Sequence, residues 1–431
     1  MSYSSHLLSL LQRIGASEGD LLEITSDGRV YSGVLMPHHD FSHPDVAVLK
    51  MKSGYNVGVK VTPSTEVRIA AKGDVREKAP RAVSDGKGLP RVAVLGTGGT
   101  IASYVDYRTG AVHPALSAGD LLATVPEIAD ICDVRAEVLY SIFSENMTVE
   151  NWQELAGTAA DRLNSGVEGI IVPHGTDTMS YTAAALSFML GDVPRPVVLV
   201  GAQRSSDRPS SDAYTNLVSA ARFITASDAA EVLVLMHETS SDLSAAVHRA
   251  TKVRKMHTSR RDAFQSINAP PVARVDFAGG IEPLAPYCRK SDVKVVPRLE
   301  MEKNVALVQF YPGMSPSMLE SVLSKSRGVV IAGSGLGHVS SDLIDPIRKA
   351  VEGGTVVVMT SQCLNGSVNL NVYATGRDLL SAGVVPGYDM LPETAYVKLM
   401  WALGQSGSAE EAGRLMTSNL RGEIADRRMM Q

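Results

Sequence analysis

The chain has only three cysteines in 431 residues, and Cys132, Cys288 and Cys363 lie too far apart for a CxxC pair or any metal-ligand spacing. So sparse and odd a set excludes a disulfide framework and predicts reduced thiols in a cytoplasmic protein. No apolar run approaches the ~20 residues that span a bilayer, which excludes a helical membrane anchor as a function class. The opening "MSYSSHLLSLLQRIGAS" has too short an apolar stretch, and no cleavage-like site, for a signal peptide. Neither charge sign is in large excess: the formal net charge of −5 excludes a chain that holds nucleic acid by its bulk field, though not a local RNA contact. There is no GxSxG elbow for a serine hydrolase, and no cysteine sits in a nucleophile-like turn.

What remains is an ordinary soluble composition, 44% apolar and 20% charged, in a chain long enough for two to three domains. Residues 15–70 read as strands. "GDLLEITSDGRVYSGVLMP" holds two alternating runs joined by Ser26-Asp27-Gly28, a hairpin signal, and "DVAVLKMKSGYNVGVKV" repeats the pattern. Several short strands in ~60 residues predict a small N-terminal β-barrel over residues 1–72, of the kind that serves as an interaction module. Residues 73–90, charged and without an apolar period, read as a linker. Beyond it, continuous apolar runs ("RVAVLG", "GIIVPH", "PVVLVGA", "EVLVLMH") alternate with helical segments such as "SYTAAALSFML" and "DAYTNLVSAARFI". This alternation predicts a parallel sheet covered on both faces, a large α/β domain over residues 91–280. The strands "NVALVQFYP", "GVVIAGSG" and "TVVVMTSQ" predict a smaller α/β domain over residues 281–431.

Open parallel sheets bind ligands beyond the carboxyl ends of their strands. Two stretches occupy that position: "LGTGGTIAS", where Thr100 follows three glycines, and "VPHGTDTMS", where Thr176 and Asp177 follow Gly175. Glycines there let the backbone turn sharply and approach a small ligand. A dinucleotide loop is the first rival, but Ile101 stands where a third glycine belongs, and Asp120 sits in "SAGDLLATV", which reads as a helix and not as a strand end. Each stretch alone is equally well a tight β–α turn with threonine as helix cap. The third feature is "KVRKMHTSRRDAF". A threonine hydroxyl is a weak nucleophile and needs a base, and an amine serves if burial or cationic neighbours favour its neutral form. Lys255, flanked in sequence by Arg254, Arg260 and Arg261, is a candidate; a solvated or RNA-facing basic face explains the same cluster.

"TGGTIA" (97–102), "HGTDTM" (174–179), "KMHTSRRDAF" (255–264) and "PVVLVGAQRSSDRPSSDAYTNL" together resemble the bacterial-type L-asparaginase/glutaminase family over about residues 91–405. The resemblance implies a flavodoxin-like large lobe and a small α/β lobe. It implies Thr100 as nucleophile on a side-chain amide, with Thr176, Lys255 and Asp177 as a hydroxyl–amine–carboxylate relay and Asp177 also meeting the substrate's α-ammonium. "FSENMTVENW" is similar to the family's substrate-binding segment and carries Ser144 and Glu145, although Ser144 also reads as a helix cap. Two positions depart from the family pattern. Its loop tyrosine has no clear counterpart, Tyr104 and Tyr107 both lying nearer Thr100 than expected, and His338 in "GSGLGHVS" stands where a neighbouring subunit's asparagine is expected.

About 90 residues precede the TGGT motif, and plain asparaginases begin close to it. This layout, with the C-terminal "LPETAYVKLMWALG", is similar to that of the D subunits of archaeal glutamyl-tRNA(Gln) amidotransferases. That resemblance implies a glutamine hydrolase paired with an E subunit, which uses ATP and Mg and the released ammonia to convert Glu-tRNA(Gln) to Gln-tRNA(Gln). It implies a homodimer within a heterotetramer, tRNA held mainly by the partner, and no metal or cofactor in this chain itself. A free-standing cytoplasmic L-asparaginase and a non-catalytic tRNA-binding scaffold are the alternatives.

Overall fold

A computed structural model describes residues 3–38, 43–51, 56–72, 88–98, 125–204 and 211–425, and the backbone alone of 103–106 and 111–114. Thr100, Tyr107, Asp120 and the linker at 73–87 fall outside the described residues.

The N-terminal unit opens with a helix that the strand reading did not anticipate. In α1 (Ser5–Ile14) the Ser4 hydroxyl accepts from Leu7 N–H at the start, and Gly15 at φ +69° ends the helix. Leu7 and Leu11, four residues apart and so on one face, pack onto the sheet beneath. That sheet holds β1 (Leu21–Ser26), β2 (Arg29–Leu35), β3 (Val46–Met51), β4 (Asn56–Lys60) and β5 (Glu66–Ala71), all antiparallel in the order β4-β3-β2-β1-β5. Asp27 and Gly28 turn β1 into β2 with both φ positive, at 50° and 73°, the signature of a two-residue type I′ turn. The described pairings make an open sheet backed by α1; closure into the expected barrel is not among them.

The large lobe is built on eight strands: β6 (Arg91–Gly98), β9 (Asp133–Ile142), β10 (Gly169–Pro173), β11 (Val197–Val200), β12 (Val232–His237), β13 (Ser244–Arg249), β16 (Ala273–Asp276) and β17 (Ile281–Pro283), in the order β17-β16-β13-β12-β11-β10-β6-β9. Outside the sheet stand two hairpins, β7 (Ser103–Asp106) with β8 (Ala111–Pro114), and β14 (Val253–Lys255) with β15 (Phe264–Ser266). From β9 to β12 the large sheet is parallel, but β13, β16 and β17 join antiparallel, so it is mixed where a parallel sheet was expected. The cause is loop length. Six residues join β12 to β13, enough for a hairpin and too few for a crossover. β17, at residues 281–283, also belongs to this sheet.

Alternate residues of the central strands feed two separate cores. Leu95, Ile170, Val172 and Leu199 pack under α2 (Val149–Asn164) and α3 (Met179–Leu190), and Val94, Ile171, Val198 and Leu233 under α4 (Ala213–Ala226). Burial on both faces is why these strands read as unbroken apolar runs. The small lobe has four parallel strands, β18 (Val305–Gln309), β19 (Gly328–Gly333), β20 (Val356–Ser361) and β21 (Val385–Pro386). Helices α5 (Pro316–Leu323), α6 (Ile344–Glu352) and α7 (Ala374–Ser381) accompany it, and α8 (Pro392–Gln405) and α9 (Ala409–Thr417) close the chain. Trp401 of α8 stacks on Phe188 of α3, with centroids 5.9 Å apart, so the two lobes share one core. No described helix is long and apolar enough to cross a membrane.

Candidate active site

The parallel strands β6 and β10 lie side by side, and both motif turns leave from their carboxyl ends. Thr97 donates from Oγ1 to the Pro173 carbonyl at 2.8 Å and ties the two ends together. Gly98, at φ +101°, must be glycine, since a Cβ would collide with the backbone of Ile142. Thr100, two residues on, lies outside the described residues.

The second turn is fully described. Thr176 is buried, Asp177 is exposed, and Lys255 Nζ reaches both, donating to Thr176 Oγ1 at 2.8 Å and to Asp177 Oδ1 at 2.7 Å. Three of the four expected catalytic residues are thus brought together from positions 79 and 78 residues apart in sequence. Ser144 is buried against the same turn. A Cβ on Gly175 would sit 2.7 Å from that of Ser144, and the Ser144 carbonyl accepts from Thr178 Oγ1 at 2.7 Å. Ser144 is not the cap of α2: Thr148 is, in a capping box with Asn151. Glu145, one residue on, is exposed.

The arginines around Lys255 in sequence are not around it in space. Neighbouring residues of a strand point to opposite faces, and Arg254 pairs instead with Glu393 at 3.5 Å. Arg260 pairs with Asp262 on the surface, and Arg261 pairs with Asp242 and donates to the Ser240 carbonyl. The charged partner of Lys255 is therefore a carboxylate and not a cationic cluster. His338 stays in the small lobe, with Nδ1 3.3 Å from Thr375 Oγ1 and its ring edge-on to Tyr373 at 5.2 Å.

The base of the lysine hairpin is fastened to the small lobe. Lys252 is fully buried and donates to Asp389 Oδ2 at 2.6 Å; burial pushes its amine down and the carboxylate pushes it back up. Asn268 donates to the Asp389 carbonyl at 3.1 Å and accepts from Gly366 N–H at 2.8 Å. The C-terminal residues complete the joint. Ala425 N–H donates to Asp389 Oδ1 at 3.0 Å, Thr251 Oγ1 to the Arg421 carbonyl at 3.0 Å, and the fully buried Glu423 takes Lys398 Nζ at 2.6 Å.

Sequence reasoning passed over two sets of residues. His174, wholly buried, is held near pKa 4 by desolvation, so it is neutral, and its Nδ1–H donates to the Gly175 carbonyl at 2.7 Å, bracing the turn from beneath. Asp212, Asn216 and His237 form a buried polar group beside the site. The signal for it was present in "SSDAYTNL", where Asp and Asn stand four apart on one helical face. Among the described residues no group of three or more histidines, cysteines or carboxylates is placed to hold a metal ion.

A hydroxyl, an amine and a carboxylate in sequence at a crevice can move a proton to and from a nucleophile on the adjoining turn. Comparison with known proteins places the chain in a family. Residues 91–283 match the model of the asparaginase N-terminal domain, 304–416 that of the glutaminase/asparaginase C-terminal domain, and 16–69 that of the GatD N-terminal domain. The chain is 51% identical over 424 residues to the D subunit of glutamyl-tRNA(Gln) amidotransferase from Pyrococcus furiosus, covering 96% of each chain. It is 51% identical to the D subunit from Pyrococcus horikoshii, covering 94% of each. The thermostable L-asparaginase of Thermococcus kodakarensis superposes with a TM-score of 0.70 at 33% identity, covering 78% of this chain and all of that one. The chain therefore belongs to the asparaginase family and, within it, to the family of glutamyl-tRNA(Gln) amidotransferase D subunits.

Proposed function

We propose that this chain hydrolyses glutamine and delivers the ammonia to an E-subunit partner, which uses ATP and Mg to convert Glu-tRNA(Gln) to Gln-tRNA(Gln) in the cytoplasm. The observation that carries this reading is Lys255 Nζ bridging Thr176 and Asp177, in a chain that aligns over nearly its whole length with named D subunits. Thr100 is the nucleophile. Its Oγ attacks the amide carbon of glutamine, ammonia leaves, and a threonyl ester of glutamate remains for water to cleave. For the relay to run, Lys255 takes the Thr176 proton while Thr176 takes that of the attacking group. Such a positioned base contributes about 10²–10⁴-fold. Asp177 gives one oxygen to Lys255, and on a side chain 69% exposed the other is open to the substrate's α-ammonium. Ser144 and Glu145 line the substrate side. The unit works as a homodimer within a heterotetramer, with tRNA held mainly by the partner.

The test is ammonia release from glutamine and from asparagine by the lone chain, with the E subunit, and with the E subunit plus Glu-tRNA(Gln). The expected result is a glutamine activity that is low alone and rises with partner and tRNA. Full turnover of asparagine by the lone chain would replace this reading with that of a free-standing asparaginase. No ammonia under any condition would make the chain a scaffold.

A further inference from the structure

Gly201 follows β11 directly and lies behind Thr176. A Cβ there would lie 2.7 Å from Thr176 Cγ2, so the bare backbone of residue 201 forms the wall against which the threonine rests. That wall is gripped from α4. Asn216 Nδ2 donates to the Gly201 carbonyl at 2.9 Å and to Asp212 Oδ2 at 3.3 Å, and Asp212 accepts from the N–H groups of Gln203 and Arg204, both at 3.0 Å. With its nitrogen facing two acceptors, the Asn216 amide can only present its oxygen to His237, 2.8 Å away, so His237 Nδ1 carries the proton. Asp212, Asn216 and His237 are each fully buried, which makes the arrangement costly unless every group is satisfied. At the far side of the imidazole, Asp242 Oδ1 lies 3.5 Å from Nε2 and pairs with Arg261, on the segment between the two strands of the Lys255 hairpin.

We propose that Asn216 is a positioning residue for the relay: by holding the Gly201 carbonyl it fixes Thr176 at hydrogen-bond distance from Lys255, with Asp212 and His237 locking the amide in one orientation. The inference rests on the hydrolase reading above. It assigns a role in catalysis to residues that touch neither substrate nor the reacting atoms.

The test is Asn216→Asp, a change of almost no volume that turns two donors into acceptors facing the Gly201 carbonyl and the Asp212 carboxylate. Displacing Thr176 by about 1 Å lowers kcat for glutamine roughly 30–100-fold, with KM within about twofold, in the assembled complex well below its unfolding temperature. The crystal structure of the variant shows the Thr176–Lys255 separation lengthened from 2.8 Å. A folded Asn216→Asp protein with kcat within about threefold of the wild type, or with that separation unchanged, overturns the proposal. If Asn216→Asp does not fold, a pair of substitutions at His237 decides. An asparagine amide nitrogen falls where Nδ1 lies, and a glutamine nitrogen falls where Nε2 lies. His237→Asn then keeps kcat, while His237→Gln loses roughly tenfold. Equal kcat in the two overturns the proposal. An inactive wild type would refute the hydrolase reading by itself, and the measured Thr176–Lys255 separation would still judge the positioning role.

Discussion

Gly201→Ala adds a single methyl group, and the structure says where it goes. The new Cβ would stand 2.6 Å from Met179 Cε, 2.7 Å from Thr176 Cγ2 and 3.1 Å from the His174 carbonyl. Carbon atoms rest at about 3.5–4.0 Å, so roughly 0.8–1.4 Å of overlap must be relieved at these two contacts. Met179 Cε is the free end of a flexible side chain and yields at little cost. Thr176 Cγ2 is one bond from Cβ, and can yield only by moving the residue or rotating χ1. Either motion takes the 2.8 Å hydrogen bond to Lys255 beyond the ~3.2 Å at which such bonds hold. The expected result is a protein destabilised by about 1–3 kcal/mol, with kcat for glutamine lowered roughly 10–100-fold. Gly169→Ala is the control. Its Cβ would meet Ile224 Cγ2 at 2.6 Å, an equal clash at the opposite end of β10, so stability falls and kcat of the folded protein does not. The assays are steady-state ammonia release by the complex and the thermal unfolding midpoint of each variant. Wild-type kcat in folded Gly201→Ala, or equal kcat losses in both variants, would refute the reasoning.

Three further outcomes are expected. Thr100→Ala and Lys255→Ala each lower glutamine hydrolysis by about 10²-fold or more and together cost little beyond either alone, while added ammonium restores amidation by the complex; strictly additive losses would show that the two do not act as a unit. His174 and His248, both wholly buried, titrate near 4 because burial disfavours the imidazolium. Unfolded imidazole titrates near 6.5, so between those values the unfolded chain binds protons that the native one refuses. Stability therefore falls as pH drops from about 6.5 to 4, by up to about 3 kcal/mol for each histidine, and is unaffected by them above that window. Denaturant melts at pH 5 and 7 check this, with a smaller difference for His248→Asn than for the wild type. Finally, Lys398→Met leaves Glu423 buried without its cation and costs about 3–5 kcal/mol, while Lys398→Met with Glu423→Gln recovers most of it, as paired melts would show.

Elements whose signal is local were legible in the sequence. β6, β10, β11 and β12 are buried on both faces and read as continuous apolar runs, and Asp27-Gly28 announced its turn through the left-handed backbone it requires. What failed was whatever depends on a partner far along the chain. The antiparallel edge of the large sheet was hidden because β13 (SAAVHR) and β16 (ARVD) carry too many polar residues to read as apolar runs, and only the six-residue link from β12 marks the direction of β13. Arg254 and Arg261 look like neighbours of Lys255 until Glu393 and Asp242 are seen to claim them. The meeting of Lys255 with Thr176 and Asp177 was expected only from motif resemblance, since no periodicity links residues nearly 80 apart. Asp212 and Asn216 carried a usable helical spacing, but the imidazole that completes them comes from a different strand.

The joint between the lysine hairpin and the small lobe bears on the order in which the protein matures. Lys252, three residues before Lys255, is neutralised by Asp389, and Asp389 is in turn held by Ala425. A ribosome that has made the entire large lobe has made none of these anchors. At ~5–20 residues per second, Asp389 follows Lys255 by roughly 7–27 s, and the clasp at Glu423 comes later still. Throughout that interval a lysine bound for the interior lacks the carboxylate it meets in the finished fold. The hairpin that carries Lys255 is thus without its anchor until Asp389 and Ala425 have been made, and changes at either residue act on it from more than 130 positions away.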